Sequence, residues 1–428
     1  MVGTGKASRK QPPYVFRPPR HVPFFMWLGY RIAPIYLRYS MKVTRIEVAA
    51  DGLEILKRLS GERVILTPNH PTEDPAVLFL LSGRLNLKFV WMAAREILED
   101  PWQGTLVSRV GVFSVDRGRH DEQALRVSRE VVLSGKHWLV LFPEGVNHQL
   151  YDEVLPFLPG AARLGLTALK DLALAKESLP PVYLLPVALR YYYLRDMRAA
   201  AADSLVMLER RLGLPNRRDW KWQDRMAAIS TLMLELNEKH YGVVPDQHDA
   251  EDARLDRLKE IAIRRVAEGL GVEPPDPAQP LRNRVRKLLN LSSQLLDSAS
   301  ARGGQYAKEL DSSRRERIVQ LRRELFRLSA FVPLRWNYEI DVPTVENFLD
   351  ILSLLEADLL GKRRVWGPRG VMIKVGCPID LREHLDDFCT NPVATTERVM
   401  LGAEQEVRQL LKATADLMTP LPETLIFS

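Results

Sequence analysis

Cysteine is scarce: only Cys377 and Cys389 occur in 428 residues. Such a pair builds no disulfide framework, and no zinc-type cysteine spacing accompanies it. A disulfide-stapled scaffold and a structural zinc module are thereby excluded, and no metal site is expected. A reducing cytosol is the expected compartment. Long apolar runs are missing too. No stretch reaches the roughly 18 apolar residues that a membrane-spanning helix needs, so none is expected. Met1 to Arg20 is polar, basic and Pro-containing without an apolar centre, so no signal peptide is expected there. A Gly-x-Ser-x-Gly elbow is absent, which argues against an α/β-hydrolase. No internal repeat is evident.

What is present is an ordinary globular composition with surplus positive charge. Hydrophobic residues make up 46%, and 61 Lys and Arg against 54 Asp and Glu leave a formal net charge of +7. That balance favours an anionic partner. Lipid and nucleic acid both qualify, but no aromatic–basic RNA-binding block occurs, so a membrane surface is expected and nucleic acid is not. The expected location is cytoplasmic, peripherally associated with the membrane. One stretch suits that setting. His21-Val-Pro-Phe-Phe-Met-Trp-Leu-Gly-Tyr-Arg-Ile-Ala-Pro-Ile-Tyr-Leu-Arg-Tyr39 is rich in aromatics and interrupted by Arg31 and Arg38. It is too broken to span a bilayer. It suits lying in the interface, with rings at headgroup depth and arginines toward phosphates. The alternative is a pair of N-terminal helices packed on the domain.

The most informative segment is Val64-Ile-Leu-Thr-Pro-Asn-His-Pro-Thr-Glu-Asp-Pro-Ala-Val-Leu78. A β-branched apolar run ends in Pro68. Asn69 and His70 follow, then Asp74 directly before Pro75 and an apolar helical pattern. An imidazole and a carboxylate therefore sit where a strand hands over to a helix, the edge at which α/β folds build ligand sites. A His held by a carboxylate can take a proton from a hydroxyl near neutral pH. The plainer reading is an Asp N-cap, a Pro at the first helical position and a His in a loop.

Downstream stand Gly111-Val-Phe-Ser-Val-Asp-Arg117, Leu141-Phe-Pro-Glu-Gly145 and Leu184-Leu-Pro-Val-Ala188. With Asn69-His70 and Asp74, these blocks resemble, in order and spacing, the glycerolipid acyltransferase family: lysophosphatidic acid acyltransferases (1-acylglycerol-3-phosphate O-acyltransferases) and relatives. Met92-Ala-Ala-Arg-Glu96 and Leu155-Pro-Phe-Leu-Pro-Gly-Ala-Ala162 also look like the family. The resemblance covers residues from about 45 to 192. It implies His70 as general base, Asp74 orienting it, and Asn69, Arg117, Glu144 and Gly145 on the substrate side. Arg117 would grip a phosphate, and Glu144 acceptor hydroxyls. The reaction implied is transfer of a fatty acyl group from acyl-CoA or acyl carrier protein to the hydroxyl of a lysophospholipid or related glycerolipid. The acyl donor is a cosubstrate, and no further cofactor is expected.

The sequence departs from the family pattern in three places. Pro71, Thr72 and Glu73 separate His70 from Asp74, where the family has four residues. Glu73 is the alternative partner, although it lacks the following Pro. Ser114 holds the family's Phe position, with Phe113 one residue earlier. Val146 and Asn147 follow the Phe-Pro-Glu-Gly block, where the family continues with Thr or Ser and then Arg. An amide cannot replace a bidentate guanidinium. A non-catalytic lipid-binding protein on the same fold is therefore the alternative function. Nucleic-acid binding through basic helices is the second.

Apolar runs alternate with helical patterns through the first half. Strands are expected at 45–49, 64–67, 88–92, 112–115, 138–142 and 181–189, and helices at 75–85, 121–134 and 160–174. The class is α/β: a mostly parallel sheet flanked by helices. From 196 to 362 nearly everything reads as helix, at 198–212, 220–240, 249–270, 281–300, 308–328 and 345–360. Val285, Leu288, Leu289 and Leu295 form one apolar stripe, and Ile318, Leu321, Leu325 and Leu328 another. Arg282, Arg284, Arg286, Lys287, Arg314, Arg315, Arg317, Arg322 and Arg323 lie mainly off the stripes. They form a solvated face, or a basic surface toward membrane or an anionic carrier. Gly370 to Leu381 looks like the family's closing strand. The expected organisation is a loose arm (1–20), the aromatic segment (21–43), the α/β core (44–195) and a helical insertion (196–362). Residues 363–428 then supply the closing strand and C-terminal helices.

Overall fold

Strands buried on both faces need unbroken apolar sequence, and the centre of this sheet has it. A computed structural model describes residues 16–71, 74–99, 102–116, 121–145, 154–175, 178–215, 219–244, 249–298, 313–314, 316–322, 324–325, 343–361 and 363–422. The strands are β1 (Val43–Val48), β2 (Arg63–Pro68), β3 (Phe89–Ala94), β4 (Val112–Val115), β5 (Trp138–Val140), β6 (Val182–Tyr193), β7 (Arg369–Val375) and β8 (Ile379–Asp380). They form one sheet in the order β1-β7-β6-β2-β5-β3-β4, with β8 also on β6. From β6 through β4 every neighbour is parallel. β7 pairs antiparallel with β6 and parallel with β1.

Helices cover both faces. They are α1 (Pro23–Tyr39), α2 (Ala50–Arg58), α3 (Asp74–Arg84), α4 (Arg95–Glu99), α5 (Gln103–Ser108), α6 (Glu122–Ser134) and α7 (Gly160–Leu174). Strand alternation sorts the core into two layers. Val64 and Leu66 of β2 pack with Leu56, Val77, Leu78 and Leu81 from α2 and α3. Ile65, between them, packs on the other side with Ala124 and Val132 of α6 and Leu166 and Leu169 of α7. The aromatic segment is a single helix that continues through Pro34, not a pair, with only Met26 and Leu37 of α1 buried.

After β6 come α8 (Arg198–Leu212), α9 (Trp222–Tyr241), α10 (Glu251–Leu270), α11 (Leu281–Ser298) and α12 (Val345–Leu360); α13 (Leu385–Thr390) and α14 (Pro392–Lys412) follow the sheet. The chain divides into two compact units, one made of residues 16–115, 121–204 and 341–428, the other dominated by 205–340. Within the second unit, both apolar stripes are core: Val285 and Leu288 pack with Ile318, Leu321 and Leu325 and with Ile263 and Val266 of α10. Leu328 lies outside the described residues. The basic face is smaller than the charge pattern suggests. Arg284 is buried and paired with Glu260, because α11 turns that position toward α10. Lys287, Arg314 and Arg317 are exposed.

Candidate active site

β2 ends at Pro68, and the chain leaves the sheet through Asn69 and His70 before α3 begins at Asp74. His70 and Asp74 stand four positions apart, and their side chains meet. His70 Nδ1 lies 3.0 Å from Asp74 Oδ2. Asp74 is fully buried, whereas the His70 side chain is 18% exposed, so only the imidazole of the pair reaches the surface. A carboxylate can only accept a hydrogen bond. The proton of a neutral His70 therefore sits on Nδ1, and Nε2 keeps its lone pair. The imidazole stacks on Phe142, with ring centroids 4.0 Å apart. That contact fixes the ring plane from the segment after β5.

Asp74 has a second partner that local sequence gives no sign of. Tyr191 Oη donates to Asp74 Oδ1 at 2.6 Å. Tyr191 lies on β6, which runs on beyond the end of β2: Pro68 is level with Val187, and β6 continues to Tyr193. Residues 187, 189 and 191 share the α3 side of the sheet, and all three belong to that core layer. Arg190 points the other way. Its guanidinium donates to Thr414 Oγ1 and the Leu411 carbonyl at 3.1 and 2.7 Å. Burial pushes its pKa down to about 10, opposed by the charge of Glu346. Burial in turn pushes the Glu346 carboxyl up, against hydrogen bonds from the main-chain N–H groups of Thr419 and Tyr193.

Three residues expected on the substrate side have main-chain partners in the structure. Asn69 is fully buried, with its amide on the Leu189 main chain. Glu144 is buried too. Its Oε1 accepts from the His70 main-chain N–H at 2.7 Å, and its Oε2 accepts from Leu155 N–H at 2.9 Å. Both oxygens brace backbone. Gly145 closes a turn, its N–H donating to the Phe142 carbonyl at 3.1 Å. Its φ of +71° is a conformation that glycine adopts without strain. Each of the three therefore has polar groups held by main-chain partners of the loop and of β6. Arg117, Glu73, Val146 and Asn147 lie outside the described residues.

The His–Asp pair thus lies at the C-terminal edge of a mostly parallel sheet, where α/β folds build ligand sites. Residues 43–190, from β1 into β6, match the family model described as Acyltransferase. That model is the one of the glycerolipid acyltransferase family, and the match over this segment supports acyl transfer as the general chemistry. No curated protein matches the chain.

Proposed function

We propose that the protein moves a fatty acyl group from a thioester donor, acyl-CoA or acyl carrier protein, to the hydroxyl of a lysophospholipid or related glycerolipid. The observation that carries this reading is the partly exposed His70 imidazole held through Nδ1 by buried Asp74. His70 Nε2 takes the acceptor's hydroxyl proton as that oxygen bonds to the thioester carbonyl carbon. Asp74 stabilises the imidazolium that results. The tetrahedral intermediate collapses, the C–S bond breaks, and the departing sulfur takes the proton back from Nε2. The products are an ester and a free thiol. Arg117 is assigned the grip on an acceptor phosphate, as a guanidinium fork suits that anion.

The reaction is placed at a membrane surface, where its lipid acceptor resides. No helix among the described residues is long and apolar enough to cross a membrane. Helix α1 nonetheless exposes Phe24, Trp27, Ile32, Ile35 and Tyr39. Arg31 stands over the Trp27 ring at 5.7 Å. Aromatic and aliphatic groups interspersed with arginines on one arc suit the headgroup boundary, where rings and guanidinium groups meet phosphates.

The test incubates wild type and His70→Ala with a long-chain acyl-CoA or acyl carrier protein and a panel of lysolipid and neutral acceptors. Products are read by mass spectrometry. A new ester made by wild type and reduced about 10²–10⁴-fold in the variant is expected. Equal activity of the two proteins would sink the mechanism. No product from any pairing would point instead to a non-catalytic lipid-binding role.

A further inference from the structure

The connection from β2 to α3 is gripped by β6 at both ends. At its start, the Asn69 side chain holds the main chain of Leu189, accepting at 2.8 Å and donating at 3.3 Å. At its end, the hydroxyl of Tyr191 holds Asp74 at 2.6 Å. Leu189 and Tyr191 are alternate residues of one strand, so a single rigid element sets both anchor points. His70 lies between them and has no side-chain tie to β6 among the contacts described. Phe142 sets the plane of its ring, and Asp74 holds its Nδ1, so its orientation depends in part on what holds Asp74.

Asp74 divides its two oxygens. Oδ2 meets His70 Nδ1, and Oδ1 meets Tyr191 Oη. A carboxylate with one oxygen anchored cannot swing about its terminal torsion, which is otherwise broad. The anchor is a phenol bonded to an ion, a pairing that is short and about twice as strong as a neutral hydrogen bond. Tyr191 is 2% exposed, so bulk water does not substitute for its hydroxyl. The ring is itself fixed from β7, where the Arg369 guanidinium lies 5.6 Å from its centroid. Tyr191 also stands one residue beyond the segment that matches the acyltransferase family. The connection it closes has three residues between His70 and Asp74.

We infer that Tyr191 is a positioning residue for the proposed acyl transfer: its hydroxyl locks Asp74 so that the other carboxylate oxygen holds His70 with Nε2 available as base. The inference rests on the acyl-transfer reading of His70. Tyr191 touches no reacting atom. A buried tyrosine that merely fills the core would affect stability alone. A positioning tyrosine acts through Asp74, so its effect vanishes when Asp74 can no longer perform.

The experiment compares wild type, Tyr191→Phe, Asp74→Asn and the double variant. It records kcat, KM, thermal midpoint and the downfield proton NMR signal of His70 Nδ1–H, assigned by its loss in His70→Ala. Tyr191→Phe is expected to lower kcat by about tenfold, the worth of one hydrogen bond to a charged group, with KM within about twofold. In the Asp74→Asn background the same change is expected to have no further effect. The Nδ1–H signal is expected to shift or broaden in Tyr191→Phe. An unchanged kcat, or a tenfold loss that persists without Asp74, would overturn the inference. So would an unmoved Nδ1–H signal, and that reading needs neither activity nor a known substrate. Failure of the acyl-transfer reading is seen separately, as equal turnover by wild type and His70→Ala.

Discussion

Asn69 and Leu189 hold each other by two hydrogen bonds: the Leu189 N–H donates to Asn69 Oδ1, and Asn69 Nδ2 donates to the Leu189 carbonyl. Strand β2 ends one residue earlier, at Pro68. The amide side chain thus stands in for the neighbouring backbone that β6 lacks at this point. A buried strand keeps its N–H and C=O paired, and here one side chain does both.

Asn69→Ala leaves both Leu189 groups buried without this partner. A loss of about 2–3 kcal/mol is expected, from the desolvation cost of unmade hydrogen bonds. Urea unfolding should show a lower midpoint at unchanged slope. Stability within about 0.5 kcal/mol of wild type would mean that water reaches the site.

Glu144→Gln tests the brace behind His70. Each carboxylate oxygen accepts from a main-chain N–H, those of His70 and Leu155. An amide offers only one acceptor and sets its NH₂ against the other donor. The expected cost is about 1–3 kcal/mol, with a fall in kcat because the His70 backbone loses its anchor. Denaturation and turnover of one preparation check both. Full stability with a raised KM alone would instead assign Glu144 to ligand binding.

Replacing Trp27 and Ile35 together by serine removes two exposed side chains from α1. Stability should hold, since neither is core. Sedimentation with anionic vesicles should weaken by at least about tenfold, from the apolar area withdrawn from the interface. Unaltered sedimentation would remove α1 from the membrane contact.

His21 and His137 lie with their rings 4.7 Å apart, near Lys88. Burial is the main force holding both imidazoles below the ordinary value of 6.5. The charge of Lys88 adds to it, while the carbonyl that His21 contacts opposes it. The unfolded chain therefore takes up protons before the folded one does. The stabilisation is complete above pH 6.5 and is lost as pH falls through the lower folded values. Thermal midpoints should be level near neutral pH and drop below about pH 6, less steeply in His137→Phe. Equal slopes for both proteins would rule out this pair as the source.

Local pattern made much of the fold legible. Helices α7, α8 and α12 and strand β4 run over the residues that periodicity marks. The His70–Asp74 contact was legible from the short connection between an apolar strand and an Asp-Pro helix start, which keeps the two side chains close. What depends on distant partners was not. Strand β6 runs four residues past its apolar core because Leu189 to Tyr193 pair with β7, far along the chain. Helix α2 was hidden by Gly52, which sits where a Cβ would come within 3.1 Å of Val375. Tyr191 reads as one more strand aromatic, and its meeting with Asp74 spans 117 positions. The family blocks named Asn69 and Glu144, but only the packed loop shows that both bond to backbone.

The place of β7 between β1 and β6 has a consequence for how the molecule is made. Synthesis reaches the end of β6 at Tyr193 and the start of β7 at Arg369, 176 positions later. At roughly 5–20 residues per second, β6 waits about 10–35 seconds with an open edge. β1, emerging first, waits longest, because its ladder partner is β7. An open edge invites pairing with other chains. A nascent chain halted before Arg369 would carry the whole His70–Asp74 turn on a sheet still missing the strand that joins its first and sixth members.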